Sequence, residues 1–408
     1  MFLPSPNGPP LKIGFYRASS IGDVVLATAC IDLLMKLQNR LQTKVEISWI
    51  GRNPSLELLS EAFPWINFIN IADFSDLSKS SELIKKLASI HFMVDLQGNL
   101  RSRMLTHNLT RASGQPIYRY DKAQVYRAKL VAEARMFGRN RVLPANTKHA
   151  KKLQFHSMVE ALKQGLKKQL PSDMLDGIET LDPRPTLPTS HDSNHRPWQK
   201  ELQFGHWLAV APGASYNAKR SPIGVFSEII AMTRFELERK LNTTSSHIGI
   251  LILGDDHDRD KGLKLLDNLA WKGPSLNLAG KLSLWESALA LKSSDFLLSN
   301  DSGLAHIAEA VKTPVAVLFG PTVEAFGFAP HLDISRAYST SLGCRPCSKH
   351  GKVECRYHDK LCFANISKPD ISDHIATHMV RLIEEEKKNK TLNDMPPIQG
   401  EVGPHFHV

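Results

Sequence analysis

No stretch of the 408 residues approaches the roughly 20 consecutive apolar side chains that a helix needs to cross a bilayer, so no membrane span is expected. The opening MFLPSPNGPPLK has neither a basic n-region nor an apolar h-region, which argues against a secretory signal and for a cytoplasmic protein. Five cysteines are too few for a disulfide framework in a chain of this length. Aromatic residues make up only 7% and do not interleave with the basic ones, so the stacking platforms of a single-strand nucleic-acid binder are missing. Neither G-x-G-x-x-G nor G-x-x-x-x-G-K-[ST] occurs in full, which disfavours a Rossmann dehydrogenase and a P-loop NTPase.

What remains is an ordinary globular composition, 42% hydrophobic and 23% charged, long enough for two cores. The formal charge of +10 attracts anions: nucleic acid, an anionic membrane face or a phosphorylated acceptor, which charge alone does not separate.

Periodicity supplies an α/β pattern twice over. Lys12–Arg17 reads as a buried strand, followed by the small-residue loop Ala18–Gly22 and a helix from Asp23 to about Leu37; Lys44–Ile50 and His91–Leu96 read as further strands. Helical patterns cover Leu77–Ala88 and Leu153–Leu170. From Pro171 to about Gln203 the chain is polar and Pro-punctuated, an expected linker with one extended strand at most. The pattern then restarts: strands at Trp207–Ala211, His247–Leu253, Phe296–Ser299 and Thr313–Phe319 alternate with helices at Pro222–Lys240, Asp255–Leu269 and Gly303–Val311. The expected division is an N-terminal Rossmann-like domain over 1–180, a linker over 181–204, a second Rossmann-like domain over 205–370, a helix over 371–388 and a disordered tail over 389–408. Ligands of such sheets bind at the carboxyl ends of the strands.

The strand-end loops hold the chemistry-bearing residues. Asp23 follows Gly22 at the first strand-to-helix turn and reads either as a carboxylate stabilising a helix terminus or as a general base facing the cleft. Arg101 and Arg103, after Asp95-Leu96-Gln97-Gly98, suit forked binding of an anionic acceptor or a solvated helix start. Pro212-Gly213-Ala214-Ser215 followed by Lys219-Arg220 fits a diphosphate cradle. In Ser299-Asn300-Asp301-Ser302-Gly303-Leu304-Ala305-His306, Asp301 is expected to cap the next helix while Ser302 and Gly303 contact phosphate. Gly320-Pro321-Thr322 ends the following strand. Cys344, Cys347, Cys355 and Cys362 have the spacing either of a four-thiolate zinc site or of a reduced, buried cluster.

Together these loops resemble the heptosyltransferases, the family 9 glycosyltransferases of lipopolysaccharide inner-core synthesis. The matching pieces are Ser19-Ser20-Ile21-Gly22-Asp23, Asp95-Leu96-Gln97-Gly98, Pro212–Ser215 with Lys219–Pro222, Asn300–His306 and Phe319-Gly320-Pro321-Thr322, in order over about residues 12 to 385. The resemblance implies a GT-B fold, two Rossmann-like domains facing across a cleft, and inverting transfer of heptose from ADP-heptose to a lipopolysaccharide core acceptor with no metal required for catalysis. It implies Asp23 as general base, Ser20, Gly22, Gln97, Arg101 and Arg103 on the acceptor side, and Ser215, Lys219, Asp301, Ser302, Gly303, His306 and Gly320 around the donor. Asp260 aligns with a ribose-binding glutamate. The implied partners are a nucleotide sugar and an anionic lipopolysaccharide-type glycolipid, with peripheral contact at the cytoplasmic face of the inner membrane and no nucleic acid. Two other readings keep the scaffold: a hexose or N-acetylhexosamine nucleotide as donor, or a noncatalytic carbohydrate-binding protein. Asp23→Asn is expected to leave folding almost unchanged.

Overall fold

The computed structural model describes residues 8–41, 43–73, 85, 87–142, 153–203, 205–243 and 248–393. Most of the expected helix Leu77–Ala88, together with residues 204, 247 and 394–408, lies outside them.

Two all-parallel sheets carry the fold. The first contains β1 (Leu11–Tyr16), β2 (Val45–Gly51), β3 (Asn67–Asn70), β4 (Phe92–Asp95) and β5 (Ile117–Arg119), in the spatial order β3-β2-β1-β4-β5. The second contains β6 (His206–Ala211), β7 (Ile248–Ile252), β8 (Ser275–Asn277), β9 (Phe296–Asn300), β10 (Val315–Phe319) and β11 (Arg336–Ser339), in the order β11-β10-β9-β6-β7-β8. This is the doubly wound 3-2-1-4-5-6 order of a Rossmann sheet, with the chain reversing direction between β6 and β9. The first sheet makes the same reversal between β1 and β4. Strands buried on both faces are mostly apolar, which is why β1, β4, β6, β7, β9 and β10 read as hydrophobic runs, with the buried polar Asp95, Ser299 and Asn300 confined to strand ends.

Helices in chain order are α1 (Ile21–Leu41), α2 (Ser55–Ala62), α3 (Leu100–Ser113), α4 (Gln124–Phe137), α5 (Gln154–Gln169), α6 (Pro197–Leu202), α7 (Ile223–Leu241), α8 (Arg259–Asn268), α9 (Leu284–Lys292), α10 (Gly303–Ala310), α11 (Leu361–Ala364) and α12 (Lys368–Asn393). The terminal helix is longer than expected at both ends. Pro369 near its start is compatible with a first helical turn, and its far end includes residues 389–393 of the expected tail.

One cluster of buried apolar side chains runs from Phe15 and Trp49 of the first sheet to Trp207 and Leu297 of the second. Within it α1 packs directly on α10, and α2 on α9. The far face of the second sheet is closed by α7 and α12 through Phe226, Ile230, Ile375 and Met379. The Pro-rich stretch is held rather than free between the sheets: Arg184 N donates to Asp32 Oδ2 (2.9 Å), Thr186 N to Thr28 Oγ1 (2.8 Å) and Leu187 N to Ala310 O (3.0 Å). It therefore ties α1 to α10, which brings together the loops at the two reversal points.

Candidate active site

The turn after β1 is organised around a buried cation. Arg17, whose side chain is 0% exposed, sets its Nη2 2.6 Å from Asp23 Oδ2, while Nη1 donates to the carbonyl of Leu96 and to Tyr120 Oη (3.3 Å). Ser20 adds its hydroxyl (2.9 Å) and backbone N–H (3.4 Å) to the same oxygen. Asp23 Oδ1 is buried with no hydrogen-bond partner within the protein. Burial pushes this carboxyl up, but Arg17, Lys122 and Ser20 together outweigh it and hold it at about 2, so Asp23 is ionised at neutral pH. One oxygen is anchored by Arg17 and Ser20, and the other is buried without a protein donor.

The neighbouring loop braces this turn. Asp95, fully buried, accepts from Gln97 N (3.0 Å), Gly98 N (3.1 Å) and Ser102 Oγ (2.9 Å). Gln97 Oε1 in turn accepts from Ala18 N (3.1 Å) and Ser19 N (3.3 Å), so its carbonyl oxygen orders the turn. Arg101 and Arg103 are exposed on α3, and Arg103 lines an open groove of about 750 Å³ with Lys122 and Val125.

The second sheet repeats the device. Asn300 donates to Pro212 O (2.7 Å) and accepts from Ser221 N (3.1 Å), clamping the loop after β6 to the end of β9. Lys219 Nζ lies 2.6 Å from Asp301 Oδ2, which also accepts from Thr322 Oγ1 (2.7 Å). Burial raises the Asp301 carboxyl, but Lys219 and Thr322 bring it below its ordinary value. Asp301 is thus not the helix cap expected from sequence, because its carboxylate is engaged by Lys219 and Thr322. Ser302 occupies the N-cap without a side-chain cap bond, and its hydroxyl meets Ser299 Oγ at 3.1 Å. The first N–H groups of α10 therefore lack a side-chain acceptor, as an anion site requires.

The two turns meet through glycine. A Cβ on Gly22 would lie 2.6 Å from His306 Cδ2, and one on Gly303 would lie 3.4 Å from Ile21 Cγ2. His306 is buried, with the Asp301, Glu309 and Asp23 carboxylates close enough to act on its charge. Burial lowers its pKa more than those carboxylates raise it, so the ring is neutral at pH 7. Gly320 is required where it stands, since a Cβ there would fall 2.1 Å from Phe363 Cζ. Ser215 and Asp260 are exposed, whereas Asp258 is buried against Gly213 and Gly254 and pairs with Lys261 at 2.5 Å.

Residues overlooked in the sequence are mostly cations. Arg17 closes an apolar strand, a position that itself signals a buried charge with a partner. Arg127 of α4 donates to Phe326 O (2.7 Å) and stacks on Phe328 (5.0 Å), joining the halves. Buried Arg345 donates to Gly320 O (2.5 Å), Phe319 O (3.1 Å) and Thr322 O (2.7 Å), holding the end of β10 in place. The four cysteines Cys344, Cys347, Cys355 and Cys362 are free thiols lining one cavity of about 340 Å³. Among the described residues, however, no three His, Cys, Asp or Glu side chains are grouped to hold a metal ion. Burial also pushes the Cys347 and Cys362 thiols up to about 11 and about 12.

With this geometry in place, the comparisons with known proteins are specific. The family model "Glycosyltransferase family 9 (heptosyltransferase)" matches residues 82–358. A lipooligosaccharide heptosyltransferase 2 of Haemophilus influenzae is 26% identical over 202 residues, 48% of this chain and 56% of that one. A lipopolysaccharide heptosyltransferase 2 of Escherichia coli is 30% identical over 116 residues, 28% and 31% of the two chains. The matched sequence thus spans about half of the first relative and a third of the other. The solved Escherichia coli ADP-heptose lipopolysaccharide heptosyltransferase II superposes with a TM-score of 0.58 at 19% identity, covering 92% of this chain and 99% of that one. A family 9 glycosyltransferase from Veillonella parvula gives 0.57 at 15%, covering 91% and 97%. These likenesses establish the GT-B arrangement of two Rossmann-like sheets, and the family match over most of the sequence places the chain in glycosyltransferase family 9, the heptosyltransferases.

Proposed function

We propose that the chain transfers a heptose from ADP-heptose to a lipopolysaccharide-type core acceptor, inverting the anomeric centre, with Asp23 as general base. The observation that carries this reading is the meeting of the Arg17–Asp23 pair with the Lys219–Asp301 pair where α1 and α10 touch. An in-line displacement requires a base on one side of the sugar and positive charge at the leaving diphosphate on the other. Asp23 Oδ1 has no competing protein donor and can accept the hydroxyl proton as it becomes acidic in the transition state. Lys219 gives Asp301 two contacts and has three protons, which leaves one for a phosphate oxygen beside the open N-terminus of α10.

In this reading His306, Ser302, Gly303, Ser215 and Gly320 surround the donor, and Asp260 reaches its ribose. Arg101 and Arg103 meet an anionic acceptor, while Ser20, Gly22 and Gln97 shape the turn that presents Asp23. The neutral His306 contributes a hydrogen bond rather than charge. The donors named for the relatives support ADP-heptose. Calorimetric titration with ADP-heptose, a UDP-hexose and UDP-N-acetylglucosamine tests the donor: ADP-heptose is expected to bind at least tenfold more tightly. Equal or stronger binding of a UDP sugar would reassign it.

A further inference from the structure

Outside the cleft, exposed apolar side chains are unevenly distributed. Of the eleven large hydrophobic residues exposed among the described ones, six (Leu100, Met104, Val125, Met136, Phe137 and Val142) fall within residues 100–142. They are strongly exposed, from 56% for Phe137 to 89% for Val142. The same 43 residues hold ten Lys and Arg against Asp121 and Glu133. Arg127 is buried and Arg119, Arg139 and Arg141 pair with carboxylates, which leaves Arg101, Arg103, Arg111, Lys129 and Arg135 exposed and outside these ion pairs. Apolar protrusion and positive charge therefore coincide on one stretch that covers α3 and α4.

The arrangement along these helices is ordered. Leu100 and Met104 are one turn apart on α3, flanked by exposed Arg101 and Arg103. On α4, Val125, Lys129, Ala132 and Met136 are all exposed at helical spacing and form a single stripe. The opposite face of α4 (Arg127, Leu130, Val131 and Ala134) packs inward, with Leu130 and Val131 meeting Val323 and Phe326. The first turns of the two helices share the open groove of about 750 Å³ lined by Leu100, Arg103, Lys122 and Val125. Lys122, on the wall of this groove, is also one of the cations that lower the Asp23 carboxyl.

We infer that the α3–α4 face docks onto an anionic lipid bilayer, with the apolar side chains entering the headgroup boundary and the surrounding cations held by acidic lipid. Charge complementarity selects this occupant. Basic residues near an anionic membrane add to the attraction, and apolar side chains beside them gain by leaving water. A nucleic-acid phosphate backbone would use the cations but offer nothing to Leu100, Met104, Val125 and Met136. The docked orientation sets the groove against the lipid surface, where a lipid-linked acceptor enters it without leaving the membrane. This last consequence rests on the proposed transfer reaction, whereas docking itself is measured with neither donor nor acceptor.

The test is flotation of the full chain with vesicles of phosphatidylcholine containing about 30% phosphatidylglycerol, compared with phosphatidylcholine alone, at low and high salt. The wild type is expected to bind the anionic vesicles at least tenfold more tightly than the neutral ones and to lose binding as salt rises. Met104→Ser/Met136→Ser/Phe137→Ser removes only exposed side chains. It should keep the wild-type circular dichroism and melting curve yet bind the anionic vesicles at least tenfold less. Lys129→Glu, a second variant, should weaken binding to anionic vesicles alone. Failure of the wild type to prefer anionic vesicles, or unchanged binding by the folded variants, would overturn the inference. So would tight binding of single-stranded DNA by a protein that ignores the vesicles. A transferase inactive on ADP-heptose that still docks would sink the donor assignment and leave the docking face standing.

Discussion

Asp23→Asn removes the candidate base, and Arg17 turns the same substitution into a stability experiment. A carboxyl held at about 2 rather than 3.8 stabilises the folded chain by roughly 2–3 kcal/mol when ionised. Removing one member of a buried pair typically costs about 3–5 kcal/mol, because the remaining charge has no counterion. Arg17 keeps its contacts with Leu96 O and Tyr120 Oη, which favours the lower end of that range. Asp23→Asn should therefore lose roughly 2–4 kcal/mol, contrary to the near-neutral effect expected from sequence. That corresponds to a drop of roughly 5–10 °C in a transition of some 200 residues. Arg17→Met/Asp23→Asn should recover part of the loss, since no orphan charge remains. The sign with pH follows from a depressed carboxyl: the contribution is present above about pH 4 and is lost as pH falls toward 2. The gap between wild type and Asp23→Asn should thus be flat from about pH 5 to 8 and close in acid. Urea unfolding of the four proteins of the cycle measures this. A loss below about 0.5 kcal/mol for Asp23→Asn, or a double variant that loses the full sum of the singles, would refute the buried-pair account.

Lys219→Ala should weaken binding of ADP and of the donor at least tenfold by calorimetry, since it removes the cation and leaves Asp301 unpaired; unchanged affinity would take Lys219 out of the donor site. Gly22→Ala places a methyl where His306 already sits, so a stability loss of about 1–3 kcal/mol and a fall in turnover are expected; a variant with wild-type melting and rate would show that α1 and α10 separate freely. Transfer should persist in EDTA, because Lys219 and the α10 terminus supply the leaving-group charge; loss restored by Mg²⁺ or Mn²⁺ would contradict that. Elemental analysis of protein purified without chelator should find no stoichiometric zinc, whereas about one equivalent per chain would restore the four-thiolate reading of Cys344, Cys347, Cys355 and Cys362.

Elements that follow from one strong local signal were legible in the sequence. The apolar runs at β1, β4, β6, β9 and β10 and the helix starting at Gly303 stand within a few residues of their expected ends. β5, β8 and β11 were not legible, because three- or four-residue edge strands half open to solvent show neither a continuous apolar run nor a clear alternation. The extent of α4 was hidden for another reason: its buried stripe packs on the other half of the chain, and the exposed Val125 and Met136 blur its periodicity. The site loops were recognisable by their small and polar residues, but the work of each side chain depends on partners distant in sequence. Arg17 is fixed by contacts 79 and 103 residues away, and Gln97 by the turn at Ala18. Asp301 looked like a cap because Asp before a helix usually is one. The lysine that claims its carboxylate lies 82 residues earlier, which local pattern cannot reveal.

The central claim is tested most directly by single-turnover transfer from ADP-heptose by wild type and Asp23→Asn, at a temperature where circular dichroism shows both folded. The account predicts a rate lowered by about 10² to 10⁴-fold, the usual contribution of a positioned acid–base group, with donor affinity within about twofold of wild type. Near wild-type turnover by folded Asp23→Asn would contradict it, leaving Asp23 as the counterion of Arg17 and nothing more.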